Sequence, residues 1–235
     1  MRLTVRIREW WWGIRPHAGP DTPKLLMFDF DGVIADSLEL YLETFLDACG
    51  EIGASHIRSR EAFLALMDGN FAVQLMRQGF PLRKLRVLAE RFEPRIRETF
   101  SRVRPFPQMP PILNELTRRH RVYIITSNRT DYVQGFLEQF GMTGVRGVIG
   151  SDVHTSKIRK ILQVRRAEPG CVPWYIGDTL GDLLEGRRAG AWVAGVTWGW
   201  HDGRRLTRGS PDHIFRTPDE LLRFAWLPPE NQPSG

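Results

Sequence analysis

The spacing of hydrophobic and polar residues changes at position 38. The apolar run LLMFDF at 25–30 is typical of a buried strand. From 38 to about 103, apolar residues recur at helical spacing with no strand-like run between them. The segments with this spacing are LELYLETFLDACGEIG, EAFLALM, FAVQLMRQGF and LRKLRVLAERFEPRIRETF, and the proline-rich stretch RPFPQMPP follows them. This pattern predicts a strand followed by a block of helices.

From position 112, strand-like and helix-like segments alternate. The predicted strands are RVYIITSN, VRGVIGSD, VPWYIGD and AWVAGVTWG, and the predicted helices are ILNELTRR, DYVQGFLEQFG, KIRKILQV and LGDLLEGRRAG. Such alternation is typical of parallel strands joined by right-handed crossover helices. With KLLMFDF as the first strand, we expect an α/β fold in which a parallel sheet of at least five strands carries an all-helical insert.

These patterns divide the chain into four units. They are an N-terminal extension over 1–23, an α/β core over 24–37 and 104–228, a helical cap over 38–103, and a C-terminal tail over 229–235. The extension contains three consecutive tryptophans at positions 10–12, flanked by arginines. Either these rings cover an apolar patch of the protein's own core, or they dock on a membrane surface or a partner. We favour the first interpretation, because the segment is short for an amphipathic anchor.

Composition narrows the class of protein. The 235 residues are 42% hydrophobic, which is enough for one sizeable core with an insert. The net charge is +6, but the basic runs RRH, VRR and GRR are scattered, which favours solvated faces over a specific nucleic-acid site. The two cysteines, Cys49 and Cys171, argue against a disulfide framework. Because the sequence shows neither a secretory signal nor an apolar run of transmembrane length, we expect a cytoplasmic protein.

Polar side chains follow the predicted strands, at the edge where open parallel sheets bind ligands. After the first strand, Asp29 and Asp31 lie two residues apart and therefore project to the same side. Two like charges this close need a cation between them, or one of them keeps a proton. The other strands end in Thr126, Ser127 and Asn128, in Ser151 and Asp152, and in Asp178 and Thr179, and Lys157 begins a following helix. We expect these groups to form one site.

Four of these stretches resemble, in order, the motifs of the haloacid dehalogenase-like (HAD) superfamily. They are DFDGVIADS, IITSN, TSKIRK with its Lys157, and GDTLGD. The resemblance is to the branch with a helical cap after the first motif, and within it to phosphoglycolate phosphatase-like hydrolases. It extends from about Lys24 to Leu222 and includes AGVTWGW and PDHIFRTPDELL. It implies a Rossmann-like parallel sheet core with an inserted all-helical cap domain.

Hydrolysis of a phosphate monoester would give the paired carboxylates a role. Asp29 is placed to attack phosphorus and form an aspartyl-phosphate, and Asp31 can protonate the leaving oxygen and then activate water. A divalent cation would relieve their repulsion, and oxygen ligands favour Mg²⁺. The resemblance implies as metal ligands the side chains of Asp29 and Asp178 and the backbone carbonyl of Asp31.

The resemblance also implies which residues bind the substrate's phosphate. These are Thr126, Ser127 and Lys157. Asp182, one helical turn after Asp178, can orient a metal-bound water or Lys157. Both acids also have a simpler interpretation, as first-turn residues stabilised by the helix dipole.

Other polar residues have simpler interpretations. Ser37 precedes the first helical segment and is expected to cap it. Three histidines lack a partner at ligand spacing and are expected at the surface: His154, His201 and His213. The insert also contains arginines that either grip a substrate carboxylate, as phosphoglycolate would require, or lie at the surface. They include Arg58, Arg60, Arg77 and Arg83.

The sequence favours a Mg²⁺-dependent phosphatase that acts on a small phosphorylated metabolite. A β-phosphoglucomutase-like phosphomutase has the same four motifs and a helical cap, so it stays open as an alternative. A 2-haloacid dehalogenase would lack the second aspartate, so Asp31 argues against it. A catalytically silent interaction module would lack a nucleophile or a metal ligand, whereas Asp29 and Asp178 are both present. The sequence leaves the oligomeric state open.

Overall fold

The structure, a computed structural model, describes residues 22–54 and 57–226. The tryptophans of the expected N-terminal extension and the whole expected C-terminal tail lie outside the described residues. In the part of the chain that is described, no helix has the length and apolar character needed to span a membrane.

Parallel strands and crossover helices build the core, as the alternating pattern predicted. In chain order the strands are β1 (Lys24–Phe28), β2 (Ala35–Asp36), β3 (Arg104–Pro105), β4 (Arg121–Ile125), β5 (Gly147–Ile149), β6 (Val172–Gly177), β7 (Trp192–Val196) and β8 (His213–Phe215). Six of them form one parallel sheet in the order β5-β4-β1-β6-β7-β8. The predicted α/β fold is therefore confirmed. The sixth strand, β8, was not among the predicted strands, which the expectation of at least five strands allows.

The helices of the described chain fall into an inserted group and a core group. The inserted helices are α1 (Leu38–Glu51), α2 (Arg60–Ala65), α3 (Phe71–Arg77) and α4 (Leu82–Thr99). The core helices are α5 (Met109–Thr117), α6 (Thr130–Gln139), α7 (Lys157–Ala167), α8 (Leu180–Arg188), α9 (Gly203–Thr207) and α10 (Asp219–Trp226). Single 3₁₀ turns follow α2 and α4, at Leu66–Asp68 and Phe100–Arg102.

Alternate residues of β1 are buried on opposite faces of the sheet. Phe28 belongs to the same hydrophobic cluster as Leu113 of α5. Met27 belongs to a second cluster, with Ile161 of α7. All five residues of β1 are buried, as expected for the central strand of a sheet with helices on both faces.

The register brings the ends of three strands to one level. Phe28 of β1 pairs with Ile124 of β4 and with Ile176 of β6. The residues that follow these strands, Asp29 and Asp178 among them, therefore emerge at one edge of the sheet. This is the carboxyl edge, where open parallel sheets bind ligands.

The inserted helices form an all-helical cap with its own hydrophobic cluster. Phe45, Phe63 and Leu75 are buried in this cluster, and Trp200 from the loop after β7 packs with them. No described residue between 38 and 103 belongs to the six-stranded sheet. The short strands β2 and β3 flank the insert and pair antiparallel, so the chain leaves and re-enters the core through a two-stranded stem.

Candidate active site

Asp29 directly follows β1 and is held by the backbone of the sheet. Its N–H donates to the carbonyl of Ile176 at 2.8 Å, and its Oδ1 accepts from the N–H of Phe30 at 2.8 Å. The residue is 6% exposed. The carboxylate is therefore fixed at the carboxyl edge of the sheet, with Oδ2 left for other partners.

Lys157 joins two of the predicted carboxylates. It is the first residue of α7, which is capped by the side chain of Ser156. Its Nζ lies 2.7 Å from Asp29 Oδ2 and 2.6 Å from Asp182 Oδ1. Burial opposes the charged form of Lys157, but the two carboxylates outweigh it and raise the pKa of Lys157 well above its usual range. The side chain is therefore a cation beside Asp29.

The turn after β6 uses its two aspartates differently. Thr179 caps α8, and Asp182 Oδ2 accepts from the N–H and the hydroxyl of Thr179. Because Asp182 Oδ1 binds Lys157, both of its oxygens have partners. Asp178 Oδ2 accepts from the N–H of Trp200 at 2.8 Å, whereas the buried Oδ1 of Asp178 has no hydrogen-bond partner among the described residues.

Two glycines make room for Asp178. Gly32 turns the chain after Asp31 with φ +74°, and a Cβ built there would lie 1.9 Å from Asp178 Oδ2. A Cβ at Gly199 would lie 2.4 Å from the Cβ of Asp178. Any other residue at either position would displace Asp178 from the edge of the sheet.

The acidic cluster fits a divalent cation. Asp29, Asp178 and Asp182 each offer one oxygen, and these atoms lie within 4.8 Å of one another. A buried oxygen without a partner is costly, so the unpaired Oδ1 of Asp178 indicates a ligand. Carboxylate oxygens suit a hard cation such as Mg²⁺. Of the three, Asp178 has the unpaired oxygen, whereas Asp29 and Asp182 both bind Lys157.

Burial and mutual repulsion disfavour the charged forms of most of the cluster. Burial and the charge of Asp182 raise the pKa of Asp29 to about 7, despite Lys157. Burial raises the pKa of Asp31 to about 6. Burial, Asp182 and Asp29 raise the pKa of Asp178 well above its usual range. Only Asp182 behaves differently: burial is outweighed by Lys157, and its pKa is lowered. A bound cation would relieve this repulsion.

A chain of hydrogen bonds holds Asp31. Asn128 Nδ2 donates to Asp31 Oδ2 at 2.7 Å, and the hydroxyl of Tyr41 in α1 donates to Asn128 Oδ1 at 2.7 Å. The buried Oδ1 of Asp31 has no hydrogen-bond partner among the described residues. Neither Tyr41 nor a role for Asn128 was predicted from the sequence. Two features of the sequence could have indicated them: Asn128 belongs to the motif-like stretch IITSN, and Tyr41 lies one helical turn after Ser37 of the first such stretch.

The predicted helix cap at Ser37 is wrong. Ser37 does precede α1, but its side chain makes no capping hydrogen bond. The residue is 1% exposed. Burial dominates the pKa of Asp31, and the Ser37 hydroxyl counteracts it by lowering that pKa. The buried hydroxyl has no hydrogen-bond partner among the described residues, so the structure does not support a capping role for it.

The predicted phosphate-binding residues occupy different environments. Ser127 is exposed and lines the same cavity as Asp29 and Lys157. Thr126 is fully buried; its Oγ1 accepts from the N–H of Asn128 at 3.0 Å, and it is not among the lining residues. A second buried lysine, Lys160, donates to the carbonyl of Thr126 and so fixes the end of β4. The structure therefore brings Ser127 and Lys157 to the carboxylates and places Thr126 in the interior.

A cavity of about 470 Å³ lies between the cap and the carboxyl edge of the sheet. Its core side contains the aspartates, Lys157, Ser127 and Asn128. Its cap side is built largely from aromatic rings, namely Tyr41, Phe45, Phe63, Phe71 and Phe92. The cap thus faces the reactive groups with a largely aromatic surface.

His201 joins the core to the cap, so its expected surface position is wrong. It is 1% exposed, and its Nδ1 accepts from the N–H of Leu180 at 3.0 Å. Its Nε2 lies 2.9 Å from the carbonyl of Leu64 in α2, to which it donates. Nearby, Arg205 of α9 pairs with Asp68 at 2.6 Å. The other two histidines are half-buried.

The four arginines considered for a substrate carboxylate lie at the surface. Arg58, Arg60, Arg77 and Arg83 are all exposed, and none of them lines the cavity. Arg60 forms an ion pair with Glu39 of α1. The surface alternative is therefore the one that the structure supports.

Comparisons with known proteins agree with this geometry. The family model for haloacid dehalogenase-like hydrolases matches residues 26–196. The phosphoglycolate phosphatase of Synechococcus elongatus is 26% identical over 203 residues, covering 84% of this chain and 95% of that protein. That of Haemophilus influenzae is 25% identical over 219 residues, covering 85% of this chain and 96% of that protein.

Solved structures share the fold at low sequence identity. A haloacid dehalogenase-like family protein from Streptococcus pneumoniae superposes with a TM-score of 0.68 at 22% identity, covering 86% of this chain and 98% of the other. A hydrolase from Pseudomonas syringae gives a TM-score of 0.68 at 18% identity, covering 86% of this chain and 97% of the other. The family model matches residues 26–196, which is most of the sequence, and the candidate site lies at the carboxyl edge of the sheet. The chain therefore belongs to the haloacid dehalogenase-like hydrolase family.

Proposed function

We propose that this chain is a Mg²⁺-dependent phosphatase that hydrolyses a small phosphate monoester through an aspartyl-phosphate. The observation that carries the proposal is the position of Asp29. Its Oδ2 lies 2.7 Å from the ammonium of Lys157, and an oxygen of Asp29 lies within 4.8 Å of one of Asp178. The relatives named as phosphoglycolate phosphatases support a phosphate ester as the substrate.

In the first step, an oxygen of Asp29 attacks phosphorus and the bond from phosphorus to the substrate oxygen breaks. Asp31 gives its proton to the departing oxygen, so that the product leaves as a neutral alcohol. In the second step, Asp31 takes a proton from water, the water oxygen bonds to phosphorus, and the bond to Asp29 breaks. Inorganic phosphate and the free carboxylate result.

The arrangement around Asp31 supports its role as acid and base. Asn128 occupies Oδ2, which fixes the plane of the carboxyl group, and Oδ1 is left to transfer the proton. Its pKa, raised by burial to about 6, lies near the operating pH that such a group needs.

The transferred phosphoryl group needs positive charge and hydrogen-bond donors. Lys157 supplies a cation, and Ser127 a hydroxyl, in the cavity. Asp29 and Asp178, with the backbone carbonyl of Asp31, would hold Mg²⁺, which would neutralise phosphoryl oxygens when bound. Asp182 would keep Lys157 in place through the contact of 2.6 Å.

The proposal is tested by measuring phosphate release from a panel of phosphate monoesters, with and without Mg²⁺. We expect release that requires Mg²⁺ and that falls to background in Asp29→Asn. Asp36→Asn is the matched control, because Asp36 is an exposed aspartate in the same motif. A phosphomutase would isomerise a sugar phosphate without releasing phosphate. An interaction module would leave the whole panel intact, and either result would overturn the proposal.

A further inference from the structure

The cavity above Asp29 is larger than a two-carbon acid requires. Its volume is about 470 Å³, whereas a phosphoryl group carrying glycolate is a small ligand. Volumes in this range fit ligands well beyond that size, since pockets of roughly 300–1,000 Å³ hold drug-sized molecules. The leaving group therefore has room for a ring or a comparable apolar body.

The part of the cavity that faces the phosphate site from the cap is aromatic. The ring of Tyr41 lies 5.6 Å from that of Trp200 and 5.9 Å from that of Phe92. Phe45 continues this surface, at 6.1 Å from Phe92 and 5.9 Å from Phe71. Phe71 is 36% exposed and lines the cavity. Rings arranged in this way favour an apolar, preferably aromatic, partner.

The charges of the cavity oppose an anionic leaving group. Of the described residues that line it, Lys157 and Arg129 are the cationic ones. Lys157 is bound to Asp29 and Asp182, and Arg129 makes two contacts with Asp131, at 3.0 and 3.1 Å. A carboxylate on the leaving group would therefore have to compete with these carboxylates for either cation.

The cap residues that the structure describes add one negative charge to the cavity lining. Glu93 of α4 lines the cavity together with Phe92. Its carboxylate would repel the carboxylate of phosphoglycolate and would not repel a neutral group. Charge and shape therefore point to the same class of substrate.

We propose that the natural ester has a neutral, apolar leaving group with an aromatic ring, and that this site discriminates against phosphoglycolate. The inference rests on the proposed function, because it concerns the alcohol that the same site releases. The two relatives named phosphoglycolate phosphatase that are described above are 25–26% identical to this chain, so the residues at the carboxyl edge can be shared while the cap differs.

A matched series of esters tests the inference. Ethyl phosphate, 2-phenylethyl phosphate and phosphoglycolate all release a primary alcohol, so their intrinsic reactivities are similar. We expect kcat/KM for 2-phenylethyl phosphate to exceed that for ethyl phosphate by about 30-fold, from burial of one ring, and phosphoglycolate to be the poorest. Equal values for the first two esters, or phosphoglycolate as the best, would overturn the inference and leave the phosphatase proposal standing.

Two variants assign the preference to the cap. Phe92→Ala should remove most of the preference for the phenyl ester, while Phe140→Ala, a half-buried ring outside the cavity, should keep it. Glu93→Lys should raise kcat/KM for phosphoglycolate by about 10-fold, because an attractive charge replaces a repulsive one. Glu98 is on the same helix but does not line the cavity, so Glu98→Lys makes the same change in net charge. It should leave kcat/KM for phosphoglycolate unchanged.

Binding separates this inference from turnover. Calorimetry of the full chain with 3-phenylpropylphosphonate and with 3-phosphonopropionate measures the preference without hydrolysis. We expect the phenyl compound to bind at least about 10-fold more tightly. If no ester is hydrolysed, the proposed function fails and the inference about its leaving group falls with it, whereas hydrolysis with the opposite ranking overturns the inference alone. Equal affinities or tighter binding of the carboxylate would overturn it.

Discussion

The hydroxyl of Tyr41 donates to Asn128 Oδ1 at 2.7 Å and so ties the first cap helix to the loop after β4. Asn128 in turn holds the carboxyl of Asp31. One hydrogen-bond chain therefore links the position of the cap to the group that we assign to proton transfer. The contact between cap and core and the orientation of Asp31 therefore share these hydrogen bonds.

Removing the hydroxyl of Tyr41 should change the pH dependence of turnover. Burial raises the pKa of Asp31, and the hydroxyls of Ser37 and Tyr41 counteract it. Tyr41→Phe should therefore shift the pKa of Asp31 upward and lower kcat by about 3- to 30-fold at neutral pH, because Asn128 loses its orienting partner. The measurement is the pH profile of kcat and of kcat/KM.

Tyr123→Phe is the control for this variant. Tyr123 also donates a hydroxyl hydrogen bond, to Glu168 at 2.7 Å, but it lies outside the cavity. Its pH profile should match that of the unmodified protein. An unchanged profile for Tyr41→Phe would show that the hydrogen-bond chain does not act on Asp31.

Gly181 should be essential for the approach of the cap. A Cβ at this position in α8 would lie 2.8 Å from the carbonyl oxygen of Met67 and 3.1 Å from that of Gly69. Gly181→Ala should push the cap segment away from the core, raise KM and lower kcat, together by about 10-fold or more in kcat/KM. Steady-state kinetics of the purified variant measure this loss.

Gly135→Ala makes the same substitution in a helix with open space. Nothing lies within 4 Å of a Cβ built at Gly135 of α6. This variant should keep full activity and gain about 0.5–1 kcal/mol of stability, because alanine favours a helix over glycine. Equal kinetics for the two variants would contradict the idea that Gly181 sets the contact between cap and core.

Without Mg²⁺, the stability of the folded state should fall as pH rises. The folded-state pKa values of Asp29, about 7, and Asp31, about 6, lie above the ordinary value near 4. The folded state therefore binds more protons than the unfolded state. The resulting contribution to the free energy of unfolding is fully present below about pH 4 and is lost as pH rises through about 7. Mg²⁺ requires the deprotonated groups, so it should raise the unfolding temperature more at about pH 8 than at about pH 5.

Thermal unfolding in a chelator and in excess Mg²⁺, at both pH values, checks this expectation. Asp178→Asn should abolish the rise caused by Mg²⁺, and Asp36→Asn, which changes an exposed aspartate, should preserve it. A rise of equal size at both pH values, or one that persists in Asp178→Asn, would argue against a metal held by these carboxylates.

Much of the fold could be predicted because periodicity and strand ends are local signals. The helical spacing from Leu38 onward marked the cap, and the polar residues after the strands marked one edge of the sheet. The pairing of Phe28 with Ile124 and Ile176 then brings Asp29 and Asp178 together. The family resemblance is confirmed as well, whereas the catalytic roles of the individual residues stay predictions.

The features of the site that were not predicted depend on contacts between distant segments. Hydrophobic periodicity carries no information about such contacts. Tyr41 and Asn128 are separated by 87 positions, and His201 contacts Leu64 across 137. Ser37 looked like a helix cap because its local sequence fits one, yet its buried hydroxyl makes no capping hydrogen bond. Long-range hydrogen bonds here override local preference.

The loss of Asp31 should separate the two chemical steps. Asp31→Asn keeps the backbone carbonyl but loses the group that gives and takes a proton, so hydrolysis of the aspartyl-phosphate should slow by about 10²–10⁴-fold. An aryl phosphate has a good leaving group and needs little protonation in the first step. With this substrate, the variant should stall after the phosphoryl group has been transferred to the protein.

Trapping of the phosphoprotein tests the central claim most directly. Asp31→Asn is mixed with a labelled aryl phosphate and Mg²⁺, and the quenched protein is mapped by mass spectrometry. We predict a hydroxylamine-sensitive phosphoryl group on Asp29 that is absent from the double variant Asp29→Asn, Asp31→Asn. Label on another residue, or hydrolysis by Asp31→Asn at the unmodified rate without any label, would contradict the account.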